Sequence, residues 1–512
     1  MRLKYIFKNS FYSMISQFAL LILGFFSQRA MNLYIGKELV GMNGVISNVI
    51  AMLSVTELGV STAIVFYLYS AIAQKDEDRI AALMNLYRKA YYIFAAVITG
   101  LGLIFLPFIH LFMSESSYTV GYIRVLYSIW LIRTVLSYLL SYKKSLLIAD
   151  QKEYVVSIVT LILNIINYST IILLVTFTQR YLPALILNVV VEVVLNLWIS
   201  WYVDRKYPFL RVKRKEKVEG SILKKIITDL KHIFVSRISL KILNCTDNLI
   251  ISSGISVVTA GLYMNYTLIT QSVSNVLIIL SNTIQPTIGN LFTEKDYEKD
   301  YQTLRQLTFL FFCLATVAAV GLLSLITPFV TDFWLGKEYE MSASVVLMCI
   351  TVCVTQVLGL PLTIILGVSG LFKQERNLSV LTAIVNLAAS LILIRCIGLA
   401  GVLLGTFLAY AIQIVYRVIV FFRQYLHRGC GRYVCDLLEY IGLILGETWL
   451  LCRFIRFIYH PGHLLSFVTC FLLCCIIPLA FNVVLYSRSW RFRSMRKLVK
   501  SFMGMRGGEA NE

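Results

Sequence analysis

"ELVGMNGVISNVI" (38–50) and "VTAGLYMNYTLIT" (258–270) decide the fold. Gly41 aligns with Gly261, and the same offset brings "QKDED" (74–78) onto "EKDYE" (294–298). "LPFI" (106–109) then meets "TPFV" (327–330) one residue later. "QKEYVVSIVTLILN" (151–164) meets "KQERNLSVLTAIVN" (373–386) one residue later again, aligning Ser157, Thr160 and Asn164 with Ser379, Thr382 and Asn386. Four matches in one order at nearly constant spacing mark an internal duplication. Each copy carries six apolar runs of about 20 residues, the length that crosses a hydrocarbon core. An even number of spans per copy gives both copies the same orientation, which makes them parallel repeats.

Composition agrees. Of 512 residues 58% are hydrophobic and 14% charged, with a mean hydropathy of +0.77. No long polar segment exists to surface a large soluble domain. The expected class is therefore an all-α polytopic membrane protein of about fourteen spans, two parallel six-helix repeats followed by two extra helices. The expected organisation is an N-terminal lobe at 1–203, a basic linker at 204–231, a second lobe at 232–423, extra helices at 424–487 and a basic tail at 488–512.

The formal charge of +20 does not signal nucleic acid, because the cations gather in short loops between apolar runs. Roughly 35 of the 47 Lys and Arg fall on one set of loops, including "QKDEDR", "YKKSLLIADQKE" and the linker. The positive-inside rule makes that side cytoplasmic and places both termini there. The linker reads mainly as a solvated connector, with contact to anionic membrane lipid as the minor alternative. The N-terminus shows no small-residue cleavage site after its apolar run, so no removed signal is expected. Eight of the 11 cysteines lie in apolar runs and read as packing residues. His427, Cys430 and Cys435 in "HRGCGRYVC" lack a fourth ligand and the tight spacing of a zinc site, so neither metal nor cofactor is expected.

Several spans carry polar residues at helical spacing. In "RISLKILNCTDN" (237–248), Arg237, Lys241, Asn244 and Asn248 fall on one face, with Asp247 about 100° away. The matching face of the first helix carries Gln17, Leu21, Gly24 and Gln28, extended by Ser13 and Asn32. The second helix shows Ser47, Ser54 and Ser61, with Glu57 beside them; the eighth shows Thr267, Ser274 and Ser281, with Gln271 and Gln285. Serines and threonines alone would signify helix packing. With Gln, Asn, Lys and Arg added, the stripes point to a wet cavity. Arg133 shares a face with Ser137 and Ser141 and is a further lumen candidate. Glu57 and Glu192, the latter flanked by Asn188 and Asn196, are candidates for ion coupling or for pairing with a cation. Arg29 and Arg417, near helix ends, are expected to snorkel.

Residues 36–91, with "ELG" (57–59), "YLYSAIA" (67–73) and the charged loop after them, resemble the polysaccharide flippases of the multidrug/oligosaccharidyl-lipid/polysaccharide exporter superfamily. The resemblance extends to span number, the six-plus-six repeat and the two extra helices. It implies a V-shaped pair of lobes, alternating access and a monomeric transporter, not an enzyme, in the bacterial cytoplasmic membrane. It implies a polyprenyl-diphosphate-linked oligosaccharide as substrate, moved to the outer leaflet for capsule, exopolysaccharide or O-antigen assembly beside a polymerase and glycosyltransferases. It also implies a cationic cavity for the diphosphate, which Arg237 and Lys241 would supply. The alternatives are a cation-coupled drug exporter or a lipid-linked peptidoglycan-precursor flippase of the same superfamily, and more remotely a membrane glycan polymerase.

Overall fold

The computed structural model describes residues 19–54, 60–211, 238–294, 296–489 and 492. The described chain is helical, with no β-strand. In order it forms α1 (19–34), α2 (Lys37–Leu53), α3 (Val60–Ala73), α4 (Glu77–Phe105), α5 (Val120–Ser141), α6 (Lys144–Ala149), α7 (Glu153–Thr178) and α8 (Tyr181–Lys206). There follow α9 (238–254), α10 (Val257–Phe292), α11 (Tyr297–Pro328), α12 (Ala343–Val368), α13 (Phe372–Ile397), α14 (Leu399–Val420), α15 (Gly431–Ile458) and α16 (Leu464–Tyr486). Each expected span has a counterpart, the second being divided between α2 and α3. Among the described residues ten helices are long and apolar enough on their own to cross a membrane. The chain is a multi-pass membrane protein.

α15 falls outside that set because of its charges, and packing accounts for its three acids. Asp436 accepts from Arg305 Nε at 2.8 Å, Glu439 from Tyr486 Oη at 2.6 Å and Glu447 from Asn482 Nδ2 at 3.1 Å. Its polar face is turned onto α11 and α16 and away from lipid.

The repeat is visible in local chemistry. Asp76 caps α4 by accepting from the Arg79 amide at 2.9 Å. Its counterpart Asp296 caps α11 by accepting from the Glu298 and Lys299 amides at 3.1 and 3.2 Å. A side-chain oxygen here pairs an amide that the first helical turn leaves unmatched. At the far ends Pro107 follows α4, and the matching Pro328 closes α11 into a π-turn at Phe329–Trp334. The third span begins at Glu77, where the Asp76 cap starts the helix, and ends at Phe105, ahead of Pro107.

By internal contacts the chain forms two units, 1–264 and 265–512. In the first, α9 and the opening two turns of α10 belong with α1–α8. Here α2 meets α10 through the aligned glycines. A Cβ on Gly41 would lie 2.0 Å from the Val257 carbonyl oxygen; one on Gly261 would lie 1.9 Å from the Lys37 carbonyl oxygen. Lys37 and Val257 are themselves repeat-equivalent, so the contact is self-complementary, like a two-fold interface between subunits. Only glycine permits so close an approach. The segment after α4 ties the same ends together. Glu38 accepts from the Ser117 amide and hydroxyl at 2.7 and 2.6 Å and from Ser116 at 2.8 Å. Ser114 bonds the Ser252 and Ser253 carbonyls and accepts from the Val257 amide.

In the second unit α11 is the central element, packed by α12, α15 and α16. Its buried face includes Phe309, Phe311 and Phe312, with Tyr440 stacked on Phe312 at 4.4 Å between ring centroids. α13 and α14 pair through polar residues that the repeat alignment had matched. Ser379, Thr382 and Asn386 are all buried, and Asn386 Nδ2 donates to Thr406 at 2.9 Å. Arg417 does not snorkel as expected: it is buried and ion-paired to Glu375 at the start of α13. A carboxylate within reach stabilises the guanidinium without its leaving the packed interface.

Candidate substrate cavity

α5 presents Trp130, Arg133, Thr134, Ser137, Tyr138 and Ser141 along one face. Together with Glu192 of α8 they line an open cavity of about 380 Å³ in the first unit. Arg133 lies eight residues before the end of α5, ~12 Å along the axis, and thirteen from its start, so it sits near the middle of its span. Glu192 is equally central in α8. Arg133 Nε donates to Glu192 Oε2 at 2.5 Å, and the guanidinium lies over the Trp130 ring at 5.0 Å. Both charged side chains keep partial access, 24% and 18%, so the pair faces the cavity and is not sealed in the core.

The wall behind the pair is fixed by hydrogen bonds. Asn43 Oδ1 accepts from Trp130 Nε1 at 3.0 Å and from Tyr181 Oη at 2.7 Å, which holds the ring under the guanidinium. Tyr138 donates to the Ser54 carbonyl at 3.3 Å. Thr134 bonds the Trp130 carbonyl at 2.9 Å, so its hydroxyl is spent within the helix. Lys144, just beyond α5, feels the same carboxylate. Burial lowers its pKa, and the Glu192 charge opposes that shift.

Arg133 and Glu192 are thus brought together, with Ser137 and Ser141 on the same face as expected. Lys241, Asn244 and Asn248 share a face of α9: Asn244 is exposed, Lys241 half-buried, and Asn248 Oδ1 is buried without a partner among the described residues. Gln28 is half-buried on α1, and Gln271 is exposed on the part of α10 that belongs to the second unit. Arg237, Gln17, Glu57 and Ser13 lie outside the described residues. Other stripe members are packing residues. Asn32 is buried and donates to the Gln28 carbonyl at 2.8 Å. Ser274 and Ser281 are buried, Ser274 lying 3.2 Å from Cys353 Sγ. On α10 the accessible polar line runs instead through Gln271, Asn275 and Asn282. Trp130, Asn43 and Lys144 escaped the sequence reading. Trp130 alone left a signal, standing one turn before Arg133 on the same face.

Neither a protein-family profile nor a curated protein matches the sequence. Solved structures do match in fold. The lipid II flippase MurJ in an inward closed conformation superposes with a TM-score of 0.65 at 16% identity, over 93% of this chain and 99% of that one. This chain shares that fold. An inward-facing multidrug-resistance MATE transporter of the MOP superfamily gives a TM-score of 0.60 at 12% identity, over 80% of this chain and 97% of its own. An outward-facing MATE structure gives 0.57 at 13% identity, over 83% and 96%. The MATE chains are thus almost fully covered while about a fifth of this chain lies beyond them.

Proposed function

We propose that this protein is a flippase that carries a polyprenyl-diphosphate-linked oligosaccharide from the inner to the outer leaflet of a bacterial cytoplasmic membrane for surface polysaccharide assembly. The observation that carries the reading is a guanidinium at mid-span in an accessible polar cavity, countered by a carboxylate that a diphosphate can replace. A lipid-linked sugar has a tail that stays in the bilayer and a head that cannot, since unpaired polar groups in hydrocarbon cost several kcal/mol each. Arg133 offers planar paired donors to phosphate oxygens. Glu192 holds that fork in place when the cavity is empty and is displaced when the substrate binds. Ser137 and Ser141 suit sugar hydroxyls.

Lys241 is assigned to the same polar path, with Asn244, Asn248 and Gln28; Arg237, Gln17 and Glu57 are assigned to it from the sequence alone. Transport would proceed by alternating access. An inside-negative potential favours outward passage of an anion by about 2.3 kcal/mol per charge per 100 mV.

The likeness to the lipid II flippase across nearly its whole length favours a second reading, in which the cargo is a lipid-linked peptidoglycan precursor. Thermal-shift titration of the purified protein separates the readings. A polyprenyl-diphosphate oligosaccharide should raise the melting midpoint of wild type and not of Arg133→Ala. Stabilisation by lipid II alone would support the second reading, and stabilisation by cationic dyes alone would support a drug exporter.

A further inference from the structure

Glu447 of α15 and Asn482 of α16 are 5% and 0% exposed, within the two helices that follow the repeats. Asn482 Nδ2 donates twice, to Glu447 Oε2 at 3.1 Å and to the Pro478 carbonyl at 2.9 Å. A backbone carbonyl can only accept, so the second bond fixes which end of the amide is nitrogen. Two oxygens on this same pair of side chains, Glu447 Oε1 and Asn482 Oδ1, are buried without a partner among the described residues. Both are acceptors when the acid is ionised, and no donor serves either. One added proton resolves both, because an acid hydroxyl on Glu447 donates to the amide oxygen while the amide already donates to the acid carbonyl.

We propose that Glu447 and Asn482 form a proton-binding acid–amide pair, with Glu447 Oε1 protonated and donating to Asn482 Oδ1. The surroundings hold no compensating cation in contact with the carboxylate among the described residues. α11 contributes the thiol of Cys313. Along α15 the neighbouring charges are engaged elsewhere: Glu439 with Tyr486, and Asp436 with Arg305. On the other side Cys452 faces Ser324. An ionised carboxylate buried here would leave Oε1 with no donor among the described residues. The proton comes from bulk water and returns to it, and no other bond changes.

The test is infrared spectroscopy of the full-length protein in lipid nanodiscs, with glutamate carboxyls isotopically labelled. A protonated-acid carbonyl band should be present at neutral pH in wild type, absent from Glu447→Gln and shifted to higher frequency in Asn482→Leu. Glu447→Gln keeps shape and both hydrogen bonds, so it should fold. If any variant fails to fold, titration of wild type alone still decides the matter. Because the folded state binds this proton more tightly than the unfolded chain, wild type should lose stability relative to Glu447→Gln as pH rises. Two results overturn the proposal: no protonated-acid band in wild type at neutral pH, or a band that vanishes when sodium replaces choline at constant pH. The latter would make these oxygens, with Thr448 Oγ1, which also lacks a partner among the described residues, a metal-cation site.

Discussion

Replacing Gly41 by alanine tests the helix crossing on which the first unit is built. The added methyl would lie 2.0 Å from the Val257 oxygen and 2.9 Å from the Gly261 nitrogen. A close carbon–oxygen contact in proteins is about 3.3 Å. The two backbones must therefore separate by about an ångström or more. Overpacking of a filled interior typically costs 1–3 kcal/mol, and here the obstacle is main chain with no rotamer to yield, so about 3 kcal/mol is expected. The reciprocal contact makes Gly261→Ala equivalent: its methyl meets the Lys37 oxygen at 1.9 Å. Gly442→Ala is the control, because nothing lies within 4 Å of its position and helical alanine is favoured over glycine by roughly 0.5–1 kcal/mol. Thermal unfolding in detergent should show a large drop in midpoint for both crossing variants and none for the control. If Gly41→Ala and Gly261→Ala melt like wild type, or if only one is destabilised, the self-complementary crossing is wrong.

The repeat-equivalent caps should behave alike: Asp76→Ala and Asp296→Ala should each cost about 1 kcal/mol, read from the same melts. Glu375→Gln should destabilise by about 2 kcal/mol, less than the 3–5 of a sealed pair because the Glu375 side chain is 32% exposed. Glu192→Gln frees the Arg133 guanidinium from its counter-charge and should tighten inorganic diphosphate binding measured by calorimetry; unchanged or weaker affinity would contradict the displacement mechanism. Asn43→Leu removes the acceptor that orients Trp130 and Tyr181, and should lower substrate-induced stabilisation more than the melting midpoint of the free protein.

The duplication was legible because the same residue types recur at one spacing: glycines at a helix crossing, and aspartates at helix starts and prolines at helix ends, whose roles are local. Periodicity could place Arg133, Ser137 and Ser141 on one face, since α5 is a single helix. It could not pair Arg133 with Glu192, or Arg417 with Glu375, because those partners meet only when different helices pack. The same limit governs the stripe on α10. Ser274 and Ser281 recur at helical spacing like cavity residues, yet packing against α12 buries Ser274 beside Cys353. Spacing shows which residues share a face, and only the neighbouring helix shows whether that face is wet.

Transbilayer movement in proteoliposomes tests the central claim most directly. A fluorescent polyprenyl-diphosphate oligosaccharide is incorporated with the purified protein, and the fraction reaching the opposite leaflet is read by its accessibility to a membrane-impermeant quencher. The account predicts protein-dependent flipping that falls at least tenfold in Arg133→Ala while that variant stays folded. Equal flipping by wild type and Arg133→Ala, or no flipping above protein-free liposomes, would contradict it.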